Sequence, residues 1–463
     1  MYPSGFLADM SSSTGDDRYA RLLEALWPLH RTLVSDDMDT ANGLILDFLA
    51  KELKVPGNCV QVHEFPSGTE VSTWIVPKKF TLRDYALVET GGAADRVLVD
   101  RSKISLSVAD YSQPVDGTFD YEEMRPHLFF SERRPEAIPF VFKYFYRSNY
   151  GFCLPKTTFD AIDTRRKLRA RIDSEFTPGT LKCLEVVLPG EIDDTLLVMS
   201  NTCHPHQVND SITGALNALM LIEYFLGKPH RHTLRFGFWP ETIGAQAYFA
   251  KYREQRRLFR YGMFTEMLGT SGPHALQLSR QETTAVDRAA AYALETARAP
   301  YRSGRYTTVL RNDERISNGI NLDIPTISLS RYPYVEYHTS DDNPSIIDMG
   351  KLRESYEISR TILSVLDEDA TLEPEEFVFG QPFLTRYGLF HDPPLAGGDA
   401  DRNLNKIMED VFSYSDGHTS LLDIARRFSY AWDDVRDQGR GLVEKGLFRT
   451  AVGGPGGTRT PRS

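Results

Sequence analysis

196-LLVMSNTCHPHQVNDSITGALNALMLIEYF-225 reads as a strand, a polar loop and a helix in one unbroken run. Leu196 to Met199 is a short apolar run bounded by polar residues, which predicts a buried strand. Ala215, Leu216, Leu219, Met220, Ile222 and Phe225 recur at helical spacing. The loop between them carries His204, His206 and Asp210. In α/β proteins ligands sit at the carboxyl ends of such strands. Imidazole and carboxylate together suit a borderline metal such as zinc. Thr213 and Gly214 predict a close turn into the helix.

The arrangement recurs downstream. In 231-RHTLRFGFWPETIGAQAYFAKY-252 a strand over Thr233–Trp239 ends at Pro240 and Glu241, and a helix follows. The apolar run Tyr261–Phe264 ends at Glu266. A strand over Thr326–Leu329 leads into a loop holding His338, Asp341 and Asp342. Four strand ends that each deliver His, Asp or Glu can assemble one metal site when they converge in a sheet. A lone loop histidine is usually structural, so His206, His230, His232 and His274 are read that way. Glu241 alone could serve a helix N-terminus; the joint pattern points to metal.

Upstream, apolar spacing predicts two helices between Tyr19 and Leu53, broken near Ser35–Asp37. From about Val60 the period shortens to that of strands, giving a β-rich module over 58–117. The aromatics between Phe140 and Phe152 read as core packing, and RKLRARIDSEF and TLKCLEVVLPG as strands. At the far end, three short helices within 402–450 and a final apolar strand predict a winged helix. Its third helix mixes Asp433, Asp434 and Asp437 with Arg436, Arg440 and Lys445, without a basic stripe. Packing or protein contact is therefore expected of it, not nucleic acid. Residues 1–18 and the Gly/Pro-rich 451–463 are expected to be disordered.

The chain has 463 residues, 41% hydrophobic and 25% charged, as in ordinary globular proteins. A net charge of −11 also argues against bulk nucleic-acid affinity. Cys59, Cys153, Cys183 and Cys203 form no CxxC pair, so reduced thiols are expected. With no signal-like N-terminus and no apolar run of membrane-spanning length, a cytoplasmic location is the default expectation.

The order HP…NDSITG, PETIG, TEMLG and EYHTSDDN resembles the zinc-dependent aminopeptidase fold that also includes glutaminyl cyclases. It most resembles a bacterial aminopeptidase-like family with a CHP…ND loop, a DER segment (Asp313, Glu314, Arg315) and an inserted β domain, over roughly 19–450. The resemblance implies an α/β fold with a mixed sheet flanked by helices. Residues 19–57 and 118–400 would form the catalytic domain, 58–117 the inserted β-rich domain and 402–450 the winged helix. It implies His204, Asp210, Glu266 and His338 as ligands of one or two zinc ions. Glu241 would be the general base. Thr242 stands where these aminopeptidases carry a second acid, so either the second ligand is missing or Glu241 is that ligand. Tyr337 and Arg315 are candidate oxyanion donors, and Asp313 and Glu336 candidate partners of a substrate amine. The implied activity is hydrolysis of a small peptide or amide. Aminoacyl or cyclising transfer on the same fold, and a non-catalytic scaffold or regulator using the winged helix, remain open, as does assembly into a homo-oligomer.

Overall fold

A computed structural model describes residues 16–142, 149–391 and 404–451. The disorder expected of 1–18 and 451–463 falls outside these stretches, except that a helix already begins at Asp16 and Ala451 is placed. Tyr144, Phe145 and Tyr146 also lie outside them.

The centre is an eight-stranded mixed sheet. Across it run Val60–Pro66, Thr180–Leu188, His232–Trp239, Ile192–Asn201, Phe259–Thr265, Thr326–Arg331, His274–Gln277 and Tyr301–Gly304. The four strands from His232–Trp239 to Thr326–Arg331 are mutually parallel neighbours. Strand Ile192–Asn201 explains why its sequence is apolar without alternation. Leu196 and Val198 face one core, and Leu197 and Met199 face the other. A strand covered on both sides must be apolar on both.

One face is covered by helices Asp36–Lys51, Ile212–Phe225, Ala285–Thr296 and Met349–Glu368. Ile212–Phe225 is buried around nearly its whole circumference, as expected of an all-round apolar helix. Its approach to the sheet requires Gly214, because a Cβ there would lie 2.0 Å from the Thr265 carbonyl oxygen. The Met349–Glu368 helix is amphipathic and starts at Asp348, whose carboxylate accepts from the Gly350 and Lys351 amides. The other face carries helix Ile243–Lys251 and residues from the insertion, including Val71, Val76, Phe80 and Tyr111.

The insertion's own sheet is antiparallel, in the order Arg96–Asp100, Lys79–Thr90, Lys167–Thr177 and Val115–Phe119. The expected limits at 58 and 117 do not match this layout. Val60–Pro66 pairs with Thr180–Leu188 at the edge of the central sheet, and Lys167–Thr177 closes the inserted one. Leu168, Ala170 and Ile172 share a core with Tyr85 and Leu87. Local periodicity reveals a strand but not its partner, which here lies about ninety residues away in sequence.

Helices Leu404–Tyr414, Leu421–Phe428 and Trp432–Glu444 and the pair Leu372–Pro374 with Phe448–Thr450 make the C-terminal winged helix. This unit begins before residue 402, since its ribbon uses Leu372–Pro374. Leu421, Ile424, Trp432 and Val435 belong to the same apolar core as the Met349–Glu368 helix. Across the seam Arg288 pairs with Asp423 at 3.1 Å and Arg436 with Glu368 at 3.0 Å. No helix among the described residues is long and apolar enough to cross a membrane. All four cysteines are buried and unpaired.

Candidate metal centre

The four parallel strands end on one side of the sheet and deliver His204 and Asp210, Glu241, Glu266 and His338 in the loops that follow. His204, Asp210 and His338 each offer a ligand atom within 4.8 Å of the other two. Asp210 Oδ2 lies 3.2 Å from His338 Nε2, and Asp210 Oδ1 lies 4.0 Å from His204 Nδ1. Asp210 Oδ2 and His338 Nε2 are buried, and neither makes a hydrogen bond of good geometry to any described group. Buried polar atoms without partners are rare. Two of them facing each other, beside a second imidazole, fit a cation of zinc's ligand preference.

Glu241 Oε2 lies 3.1 Å from His204 Nε2, which puts a carboxylate against the outer edge of the cluster. Glu266 is 2% exposed and stands outside the mutual 4.8 Å set; its Oε2 accepts from Asn312 Nδ2 at 2.8 Å. Burial, then the charges of Asp210 and Glu241, hold the Glu266 carboxyl well above its ordinary range. Burial opposes ionisation of Asp210 too, but His204 and His338 outweigh it and hold that carboxyl low. A cation added to this group of acids would relieve their repulsion.

The backbone around the site is unusual. His204, Thr242, Met267 and His338 have φ of 80°, 61°, 51° and 55°, the left-handed region that non-glycine residues seldom adopt. Each such conformation needs outside support. Arg31, fully buried, supports the first loop: Nε donates to the Thr202 carbonyl at 2.9 Å, and Nη2 to the carbonyls of His204 and Gln207 at 2.9 and 2.8 Å. Asp342 accepts from the amides of Val208, Asn209 and Asp210 at 3.2, 2.7 and 2.9 Å. Burial and the Asp210 charge push its carboxyl up to about 7, against those three amides. Asp341 is held by Arg134, with Nε at 2.7 Å. Neither acid that follows His338 is thus directed to its second ring nitrogen.

Asp313 holds the Glu241 turn. Its Oδ1 accepts from the Thr242 amide at 2.7 Å and its Oδ2 from Asn201 Nδ2 at 2.9 Å. Burial, then the Glu241 charge, push the Asp313 carboxyl up to about 8. Arg315 Nε is turned to the Asn312 carbonyl, and the Glu336 carbonyl caps Thr339. Tyr337 stacks on His338, with ring centroids 3.8 Å apart.

A cavity of about 380 Å³ opens beside the cluster. His204, Glu241 and His338 line it together with Trp74 and Asp110 from the insertion and with Phe140, Val141 and Phe142. Asp313, Arg315, Glu336 and Tyr337, expected at the substrate, are not among its lining residues. Phe140 is more than core: its ring meets those of His204 and His338 edge-on, at 5.5 and 5.1 Å. Arg31, Trp74, Asp110 and Asn312 escaped the sequence reading because each acts through a distant loop and none sits in a recognisable pattern. The histidines read as structural have ordinary partners: Ser105 for His206, the His232 carbonyl for His230, Asp367 for His232 and Ser355 for His274.

Residues 20–369 match a family model described as "Domain of unknown function (DUF4910)". The chain belongs to this family. Residues 374–450 match a winged helix-turn-helix model, in agreement with the C-terminal helices and ribbon. A Clostridium acetobutylicum protein named "Putative polysaccharide biosynthesis protein with aminopeptidase-like domain" is 27% identical over 91% of this chain and 95% of its own length. A solved structure from the same organism, called a "putative peptidase", superposes with a TM-score of 0.79 at 23% identity, covering 94% of this chain and 97% of that one. The zinc aminopeptidase of Bacillus subtilis aligns with a TM-score of 0.55 at 12% identity, over 75% of this chain and 94% of its own. This family member thus has the zinc aminopeptidase fold, extended by a winged helix.

Proposed function

We propose that the chain is a metal-dependent hydrolase of peptide or amide bonds. The observation that carries this reading is the convergence of His204, Asp210 and His338 on a cavity that Glu241 also lines. These three would hold zinc, with Glu266 as a further ligand. Zinc supplies Lewis-acid polarisation and acidifies water. Glu241 then takes the proton of the attacking water and hands it to the leaving amine. Tyr337 stacks on His338, and its phenol would be the donor to a developing oxyanion. Phe140 and, from the insertion, Trp74 and Asp110 line the cavity beside these residues. The fold it shares with zinc aminopeptidases and the name of its Clostridium relative support the same class.

The test is metal analysis of purified protein with an activity screen over aminoacyl and N-acyl amides. One to two equivalents of zinc and hydrolysis of some amide support the reading. No bound metal under zinc-replete conditions would remove it and leave a scaffold.

A further inference from the structure

After the ribbon strand Leu372–Pro374 the chain crosses the winged helix as a strap, residues 375–391. Both ends of the strap are tied down. At one end the Glu375 amide donates to the Leu447 carbonyl at 3.0 Å. At the other the His391 amide donates to Asn405 Oδ1 at 2.9 Å, and the His391 ring Nε2 lies 3.0 Å from Gln438 Oε1. The inner side is apolar: Val378, Leu384, Tyr387 and Leu389 pack against the main core. Leu389 lies on the third helix of the winged unit, where a Cβ at Gly441 would come within 3.0 Å of its Cδ2. The outer side is apolar too. Phe377, Phe379, Phe383 and Phe390 are 61%, 96%, 71% and 49% exposed. The run 377-FVFGQPFLTRYGLF-390 holds one charged side chain, Arg386, in a chain that is 25% charged. Large rings left in water are unfavourable, and a cluster of them on one surface marks a contact site.

We propose that this strap is the centre of a two-fold interface between two copies of the chain. Its composition, rich in Phe and poor in charge, is that of an interface core. It carries no charge pattern that would select an oppositely charged partner. An apolar surface is complementary to itself, which a two-fold axis requires because the same patch lies on both sides. The area agrees. A phenylalanine side chain buries on the order of 200 Å², so at their exposures the four rings offer roughly 500 Å² per copy. Across the axis that makes roughly 1,000 Å², the scale of a specific interface, before any polar rim is counted. Because the strap is anchored at both ends, pairing spends little ordering entropy. The third helix of the winged unit then serves as a platform, carrying Leu389 of the strap at Gly441 and meeting Glu368 through Arg436 and Arg440. The inference is independent of the metal centre.

The test is sedimentation velocity of the full chain over about 1–50 μM, as wild type and as Phe379→Ser/Phe383→Ser. Wild type should sediment as a dimer. The double variant loses both rings on each side of the axis, so its dissociation constant should rise by about 100-fold or more. It should sediment as a monomer with the circular dichroism and melting transition of wild type. If it does not fold, Phe379→Ser alone carries the comparison, since that ring is 96% exposed; its dissociation constant should rise at least about tenfold. A wild type that stays monomeric throughout the range overturns the proposal, and the rings then serve another part of the same chain, such as residues 392–403, or a different partner. A dimer that persists unweakened in the folded variants overturns it as well and puts the interface elsewhere. Neither result touches the hydrolase reading, because no residue of the strap lines the cavity beside the metal cluster.

Discussion

Glu241 and His338 separate two roles at the scale of single residues. Glu241 reaches His204 at 3.1 Å, at the edge of the cluster and not within the mutual set of three. Glu241→Gln should therefore keep zinc and lose turnover by about 10²–10⁴-fold, the range for removing a general base. A parallel loss of zinc from that variant would make Glu241 a ligand, and undiminished turnover would take it out of the mechanism. His338→Ala removes one of the two facing orphaned atoms. It should abolish zinc binding and activity while circular dichroism and the melting transition persist; retained stoichiometric zinc would refute its role. Both residues were legible in the sequence because each stands in a compact motif at a strand exit. Arg31 and Asp342 were not read as supports, because hydrogen bonds to backbone carbonyls and amides leave no trace in residue spacing.

Strand-to-helix turns set the site at the scale of elements. The loop from Asn201 to Ser211 must hold His204 and Asp210 while the next helix packs against strand Phe259–Thr265. Gly214 makes that close approach. A methyl at Gly214→Ala would overlap the Thr265 carbonyl oxygen and push the helix outward. The expected cost is about 1–3 kcal/mol from overpacking, read as a lower denaturant midpoint at unchanged slope. An unaltered midpoint would mean that the helix is freer to shift than its burial implies. The sequence announced each of these strands and helices through its period. It could not announce that Val60–Pro66 joins the central sheet while Lys167–Thr177 leaves it, because both runs have acceptable strand patterns and only the competition for partners sorts them.

The whole molecule is joined at the seam between the long helix Met349–Glu368 and the winged helix. Asp369 ends that helix and accepts from the Leu422 amide at 3.0 Å. Burial pushes its carboxyl up to about 7, despite the Leu422 amide and Ser420. Since the folded value is raised, the native state holds this proton more tightly than the unfolded chain does. Its contribution to stability is full in acid, below the ordinary value of 3.8, and is lost as pH rises towards about 7. Asp369→Asn keeps an acceptor and removes the titration. The melting temperature of the variant relative to wild type should then rise between pH 5 and pH 8, and a constant difference would disprove the shift. Around the seam, Arg436 and Arg440 both reach Glu368, at 3.0 and 3.5 Å. Two basic groups of the third helix thus meet the end of the long helix Met349–Glu368. Retardation of duplex DNA at about 150 mM salt, where phosphate contacts are strongly weakened, would count against this assignment of the helix.

By itself the sequence determined the α/β class, the strand-end placement of His204, Asp210, Glu241, Glu266 and His338, and the presence of a C-terminal winged helix. These are written in local period and short motifs, which depend on neighbours a few residues away. Tertiary structure alone decided which of the five side chains meet, that Asp313 faces inward to the Thr242 amide, and that Trp74, Asp110 and Phe140 close the cavity. The reason is physical. A side chain's partners are set by burial and by pairing between segments far apart in the chain. Arg31 and His204 are separated by 173 positions, and only the packed sheet and its insertion bring them within hydrogen-bond reach.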